Sequence, residues 1–270
     1  MAAKAANLKP KALLMWTHDL DPVAFAIGGL KMHWYGLMYL VGFAVGWLLG
    51  RYRAGRPNSG WSKQEVDDLL TCTMLGVIIG GRLGYILFYD LPSYIEDPVE
   101  IIRIWHGGMS FHGGLLGALG AFWFFARSRN KAFLAVSDFV SPLVPQALFW
   151  GRLGNFINGE LWGKTTSLPW GIIFPGAGPL PRHPSQLYEG MLEGIILFAV
   201  LWFYSSKPRR TGQVSGVFAI GYAIARMTIE LVRVPDQHLG YLAFGWLTMG
   251  QLLCIPLLMA GIWLVWRKTA

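Results

Sequence analysis

The sequence predicts an all-α, polytopic integral membrane protein with seven transmembrane helices and a small periplasmic head. Three observations predict it. The 270 residues are 54% hydrophobic and only 14% charged, where a soluble domain carries about 25% charged residues. Seven apolar stretches, at 34–50, 69–89, 109–126, 136–157, 187–204, 213–232 and 246–266, come close to the 20 or so residues a bilayer-crossing helix needs. The cations alternate between the connections, as cytoplasmic retention of Lys and Arg requires.

The alternation sets the orientation. Arg51, Arg53, Arg56 and Lys63 follow the first stretch, Arg127, Arg129 and Lys131 the third, Lys207, Arg209 and Arg210 the fifth, and Arg267 and Lys268 the seventh. The opposite connections hold only Arg103, Lys164, Arg182 and Arg233. The amino terminus is therefore expected outside and the carboxyl terminus in the cytoplasm. Lys4, Lys9, Lys11 and Lys31 run against that orientation, and the internal loops outnumber them. Residues 1–11 are polar and lack the apolar core of a cleavable signal peptide.

One membrane domain, 1–270, is expected. The first stretch is short, and residues 23–30 either extend it or lie in the interface. The Gly- and Pro-rich connection 158–186 is long enough for a cap. Residues 94–105 mix acids with Ile, Val and Trp, as an interfacial helix would. The 34 glycines suit close helix packing, and 13 Trp with 10 Tyr suit an aromatic belt. The net charge of +8 is scattered between apolar runs, so it orients the chain and meets anionic headgroups rather than nucleic acid. Cys72 and Cys254 sit in apolar runs and read as small buried hydrophobes, with no disulfide framework and no metal spacing.

Buried charge carries the functional signal, because each charged side chain in hydrocarbon costs at least about 2.5–3.5 kcal/mol. Arg82, Arg152 and Arg226 fall inside outward-running spans, all in the outer half. Arg226 lies seven residues before Arg233, hence about 10 Å below the outer boundary. His112 opens the third span on the same side, with Tyr35 opening the first and Glu189 the fifth. Arg226, Glu230 and Arg233 are spaced i, i+4, i+7 and share one helix face. Arg82 and Glu230 are open to two readings, helix-locking ion pair or site residue, and Asp138 reads as a lock. Arg152 and Arg226 have no evident dedicated acids, so their guanidinium forks are expected to bind an anion such as a phosphate.

Glycines frame the polar positions in 105–117, WHGGMSFHGGLLG, and 151–160, GRLGNFINGE. Asn155 and Asn158 add neutral donors and acceptors beside Arg152, and His112 is placed for proton exchange. In 180–189, LPRHPSQLYE, Ser185 is expected to cap the fifth span and Tyr188 to anchor it at the interface. HExxH, GxSxG, P-loop and paired CxxC motifs are absent, which lowers metal hydrolysis, serine acyl transfer and nucleotide-driven transport. An Arg-rich site with one placed His suits displacement at a carbon bearing a phosphate leaving group. An anionic-lipid flippase or transporter is the alternative, though the charges gather in one layer and no inverted repeat is evident.

The motif GRLGNFINGE closely resembles bacterial prolipoprotein diacylglyceryl transferase, and the likeness extends through HWYGLMYLVGF, GGRLGYILFY, GGMSFHGGLLG, LPRHPSQLYE and ARMTIELVRVPD. It covers about 21–266. The resemblance implies seven spans with a periplasmic head in the bacterial inner membrane. It further implies transfer of the diacylglyceryl group of phosphatidylglycerol to the lipobox cysteine of a prolipoprotein, without cofactor or metal, releasing glycerol phosphate. Its essential arginines correspond to Arg152 and Arg226, and its SFHGG histidine to His112. Its other motif positions correspond to Tyr35, Asn155, Glu160, Tyr222, Glu230 and Arg233. His112 is the candidate base for the thiol, with Tyr35 and Glu230 as rivals.

Overall fold

A computed structural model describes residues 16–235 and 240–267. Residues 1–11, Asp236 and Lys268, which enter the sequence reading, lie outside the described residues. Each of the seven apolar stretches is helical. α1 runs Trp34–Ala54, α2 Lys63–Tyr89, α3 Leu91–Glu96, α4 Phe111–Ser128, α5 Phe133–Val140 and α6 Val144–Ile157. α7 is Ser185–Glu189, continued by a π-helical segment Gly190–Ile196 into α8, Leu197–Tyr204. α9 runs Gln213–Glu230 and α10 Met249–Trp266.

Among the described residues three helices are long and apolar enough to cross a membrane: α2, Ser185–Tyr204 and α10. The bent pair α5 and α6 makes a fourth if it is one span. α1, α4 and α9 reach 21, 18 and 18 residues, but glycine, aromatic and charged positions dilute their hydropathy.

Four expectations need correction. Residues 23–30 do not extend α1: β1, Val23–Ile27, pairs antiparallel with β2, Leu30–His33. Gly28 and Gly29 both take positive φ, 56° and 85°, the requirement of a tight hairpin turn that matches strand twist. The fourth stretch is not one straight helix but bends by 51° between α5 and α6. Pro142 and Pro145 lie at the break, where proline removes amide donors and excludes the preceding helical turn. Residues 94–105 hold only the end of α3 and two 3₁₀ turns. Finally, among the described residues Asp138 forms no ion pair; its carboxylate accepts from the Gly212 and Ser215 amides at 2.6 and 2.8 Å and from the Ser215 hydroxyl at 2.7 Å. Those are the orphan donors at the start of α9, so Asp138 caps that helix from a neighbouring one.

Close approach holds α2 to α4. Gly76, Gly80 and Gly84 are spaced four apart on α2 and face Gly113 and Gly117 on α4. A methyl group at Gly80 would overlap the Gly113 carbonyl, and one at Gly84 would sit 2.7 Å from the Gly113 Cα. Small residues at this spacing let backbones touch, the main source of packing when lipid surrounds both helices. Near the connections between α1 and α2 and between α4 and α5, a cluster of Ala54, Val66, Leu69, Phe125, Ala126, Val136 and Phe139 ties these helices together.

The connection 158–186 packs around a small buried cluster of its own. Phe156, Ile172 and Phe174 are buried with Trp162, Ala177 and Leu187 around them. The Trp16–His18 segment joins it: Thr17 bridges Ile173, and the His18 ring stacks on Phe174 at 5.3 Å while bonding the Phe156 carbonyl at 2.7 Å.

Candidate functional site

Arg152 leaves α6, Arg226 leaves α9, and Arg233 follows α9 by three residues; all three converge on two glutamates of the fifth helical stretch. Glu189 Oε2 lies 2.6 Å from Arg152 Nε and 3.2 Å from Arg226 Nη1, and Glu189 Oε1 lies 3.5 Å from Arg233 Nε. Glu230 Oε1 takes Arg226 Nη2 at 2.6 Å and Arg233 Nη1 at 3.3 Å. Glu193 stands farther off, 3.8 Å from Arg152 Nη2 and 3.9 Å from Arg226 Nη1. Glu189 and Glu193 are fully buried. Glu230 stands between the two arginines, but the single helix face expected from the i, i+4, i+7 spacing does not form, because α9 ends at Glu230 and Arg233 lies in the segment beyond it. The expectation that Arg152 and Arg226 lack dedicated acids also fails. The acids come from a different part of the chain, which no spacing within α6 or α9 could reveal.

The local backbone explains the convergence. Gly190 and Gly194 lie within the π-helical turns, and a methyl group at Gly194 would sit 2.7 Å from the Phe149 Cβ of α6. The missing side chains bring this segment against α6, one turn from Arg152. π-Helical turns occur mostly as short bulges and often at functional sites. On the far side, a methyl at Gly250 would meet Glu230 Oε1 at 2.7 Å, so the start of α10 closes the cluster.

The polar line continues along α6 toward Glu160. Arg152 Nη1 donates to Asn155 Oδ1 at 3.5 Å, Asn155 Nδ2 to Glu160 Oε1 at 2.9 Å, and Asn158 Nδ2 to the same oxygen at 3.3 Å. Tyr35 packs on Gly154 of α6 and shares a 3.0 Å hydrogen bond with Tyr39. Tyr222 lies one turn before Arg226 and stacks on Phe218 with centroids 6.1 Å apart. Arg152, Arg226, Glu230, Arg233, Asn155 and Glu160 thus form one network, with Tyr35 and Tyr222 beside it.

His112 is not in that network. It is exposed in the first turn of α4, its ring against Phe111 at 5.6 Å, and no hydrogen bond joins it to the arginines. One further expectation changes. Ser185 is inside α7, not its cap: Pro184 holds the cap position, and the Ser185 hydroxyl donates to the Leu161 carbonyl at 2.9 Å. Tyr188 accepts from Trp170 Nε1 at 2.8 Å, which ties the 158–186 connection to the helix start. In the same loop, burial pushes the His183 imidazole below its usual value.

Arg82 belongs to a separate place. It is buried at 4% exposure and has no carboxylate partner among the described residues. Its guanidinium donates to five main-chain carbonyls: Ile101 at 3.1 Å, Gly108 at 3.1 Å, Arg103 at 3.2 Å, and Glu100 and Gly107. The Tyr94 ring lies 5.0 Å from its centre. Of its two sequence readings, neither an ion pair nor a ligand site is what forms; it is a lock made with backbone oxygen. What sequence reading missed is Glu189 and Glu193 as site members. Two acids four apart inside an apolar run were the available signal.

Residues 22–267 match the prolipoprotein diacylglyceryl transferase family. The chain belongs to that family. It is 60% identical over 257 residues to the phosphatidylglycerol–prolipoprotein diacylglyceryl transferase of Solidesulfovibrio magneticus, covering 94% of this chain and 97% of that one. The enzyme of the same name from Nitratidesulfovibrio vulgaris strain Miyazaki F is 61% identical over 92% of this chain and 94% of its own. That of Legionella pneumophila strain Lens is 56% identical over 93% and 98%.

Proposed function

We propose that this protein transfers the diacylglyceryl group of phosphatidylglycerol to the lipobox cysteine thiol of prolipoproteins, at a site built on Arg152 and Arg226. The observation that carries this reading is the convergence of Arg152, Arg226 and Arg233 from separate parts of the chain. Arg152 and Arg226 hold the phosphate and stabilise the charge that grows on it as glycerol phosphate leaves. The thiol sulfur forms a C–S bond to the glyceryl carbon bearing the phosphate, and the C–O bond breaks with its electron pair on the phosphate oxygen. The thiol needs to lose its proton, and its unperturbed pKa near 8.5 calls for a base. His112 fills that role better than its rivals: Glu230 is committed to two guanidiniums, and Tyr35 is hydrogen-bonded to Tyr39. Tyr35, Asn155, Glu160, Tyr222 and Arg233 line the lipid-binding side. Family membership favours covalent transfer over a flippase.

In this reading all seven helical stretches span the inner membrane, with 158–186 as the periplasmic cap, the amino terminus outside and the carboxyl terminus in the cytoplasm. Cysteine accessibility on the two faces of the membrane tests that topology: labelling of 158–186 from the cytoplasm would overturn it. The chemistry is tested with purified protein, phosphatidylglycerol and a lipobox peptide. Native protein yields diacylglyceryl-peptide. Arg152→Lys keeps the charge that Glu189 needs but loses the planar fork, so product falls about 100-fold; near-native turnover removes the phosphate clamp. His112→Gln loses activity that rising pH partly restores, and the absence of any recovery removes His112 as base.

A further inference from the structure

Within the cluster, the charges cancel. Among the described residues, the guanidiniums of Arg152, Arg226 and Arg233 face the carboxylates of Glu189, Glu193 and Glu230. A phosphodiester anion that enters such a site meets no surplus positive charge, in surroundings where an uncompensated charge is expensive. Something has to give up negative charge. A carboxylate cannot swing out into water, because Glu189 and Glu193 are fully buried on a segment packed against α6, and Glu230 is 2% exposed.

The three carboxylates differ in what neutralisation would cost them. Glu189 Oε2 receives two guanidinium contacts at 2.6 and 3.2 Å, and Glu230 Oε1 receives two at 2.6 and 3.3 Å. Glu193 has neither oxygen hydrogen-bonded, and its guanidinium neighbours stand at 3.8 and 3.9 Å. A proton placed there breaks no hydrogen bond and relieves a buried, unsatisfied group. The groups that face Glu193 come from every element around it: Arg152 of α6, Tyr222 and Arg226 of α9, Arg233 beyond α9, Cys254 of α10, and Glu189 of its own helical stretch. Arg152 and Arg226 are the cations whose contacts to its carboxylate are seen, at 3.8 and 3.9 Å. A phosphate seated on Arg152 and Arg226 takes those contacts away.

We infer that Glu193 is the counter-anion that gives way to the lipid phosphate, taking up one proton as Arg152 and Arg226 bind the headgroup and returning it when glycerol phosphate leaves. This rests on the phosphate clamp proposed above and adds to it a residue that positions charge without touching the reacting carbon. The proton comes from water, goes to a Glu193 oxygen, and goes back to water, so transfer itself stays balanced.

Calorimetry of dioctanoyl phosphatidylglycerol binding to the full-length protein, in buffers of differing ionisation enthalpy, counts the protons taken up. About one proton per lipid is expected on the alkaline side of the Glu193 titration, where Kd rises about tenfold per pH unit. Glu193→Gln, close in size, abolishes both the uptake and the pH slope, and tightens binding at alkaline pH at least tenfold; Glu193→Asp restores the slope. A native protein that binds the lipid with no proton uptake at any pH overturns the assignment. So does a Glu193→Gln variant that keeps the native slope. Transfer of diacylglyceryl to peptide is measured on the same preparations. Binding and transfer without proton linkage sink Glu193 alone, whereas native protein that neither binds the lipid nor forms product sinks the clamp and Glu193 together.

Discussion

Two arginine sites in one molecule show how the partner decides what a buried cation does. Arg82 is surrounded by five backbone carbonyls of 100–108 and an aromatic face. Carbonyl dipoles belong to the fold and cannot be exchanged without unfolding the loop, so this cation is spent on structure. It draws 98–108 down onto α2 just ahead of α4, where Ser110 donates its amide to the Gly81 carbonyl at 2.9 Å and caps the helix that carries His112. Arg152, Arg226 and Arg233 are instead balanced by side-chain carboxylates, which differ in how firmly they hold. Ionic partners can change protonation state or share a cation with a ligand. Sequence depth made the two sites look alike; the oxygen type separates them.

The sharpest way to break this comparison is to change both cations in parallel. Arg226→Lys is expected to keep the folded yield while transfer to a lipobox peptide falls by about 10²–10³-fold, because one ammonium cannot replace two forked donors aimed at a phosphate. Arg82→Met is expected to do the reverse. It strands five carbonyls and costs about 3 kcal/mol or more, so the thermal midpoint and membrane yield drop while turnover per folded molecule stays near native. If Arg82→Met abolished turnover with an unchanged midpoint, Arg82 would belong to the catalytic cluster and the contrast would fail. Alanine at Arg152 or Arg226 is a poorer test than lysine, since it orphans the buried carboxylates and mixes stability with function.

Smaller changes sharpen the contrast. Gly80→Ala pushes α2 and α4 apart where the Gly113 carbonyl touches, at a cost of roughly 1–3 kcal/mol; chemical unfolding in detergent reads it, and an unchanged midpoint would mean that this contact is loose. The smallest effect is expected from Glu100. Its carbonyl serves Arg82, but its carboxylate only meets Arg103 at 2.6 Å and His106 at 2.9 Å on the surface. Hydrogen bonding from Arg103, then His106, holds that carboxylate below its usual range. Its contribution is therefore present at neutral pH and lost as pH falls through the lowered value. Glu100→Gln is expected to lower the neutral-pH midpoint only slightly and to flatten the acid limb; a large loss at neutral pH would show that the loop depends on side-chain charge after all.

Much of the plan was legible in residue order. The apolar runs located the helices because hydrocarbon tolerates little else, and the i, i+4 spacing put Arg226 and Glu230 on one face because α9 is regular up to Glu230. The failures share a cause. The bend between α5 and α6 and the π-helical turns at 190–196 interrupt that regularity, and helix geometry extrapolated through them goes astray. Ser185 looked like a cap by residue type, yet Pro184 takes the position and Ser185 turns to the Leu161 carbonyl instead. The Gly28–Gly29 pair announced a hairpin, but its flanking Val, Ile and Leu read as membrane-facing because the same residues serve both.

By itself the sequence determined which residues leave water, which helix each polar residue belongs to, and that several cations would be buried, since these follow from transfer energies and from spacing along one chain. The tertiary structure alone decided their partners. Glu189 lies 37 positions from both Arg152 and Arg226, and Arg82 finds its oxygens on a loop 18 to 26 positions away. A buried charge is settled by whatever oxygen reaches it within about 3 Å, and that distance is set by how glycine-lined helices pack, which no single helix contains.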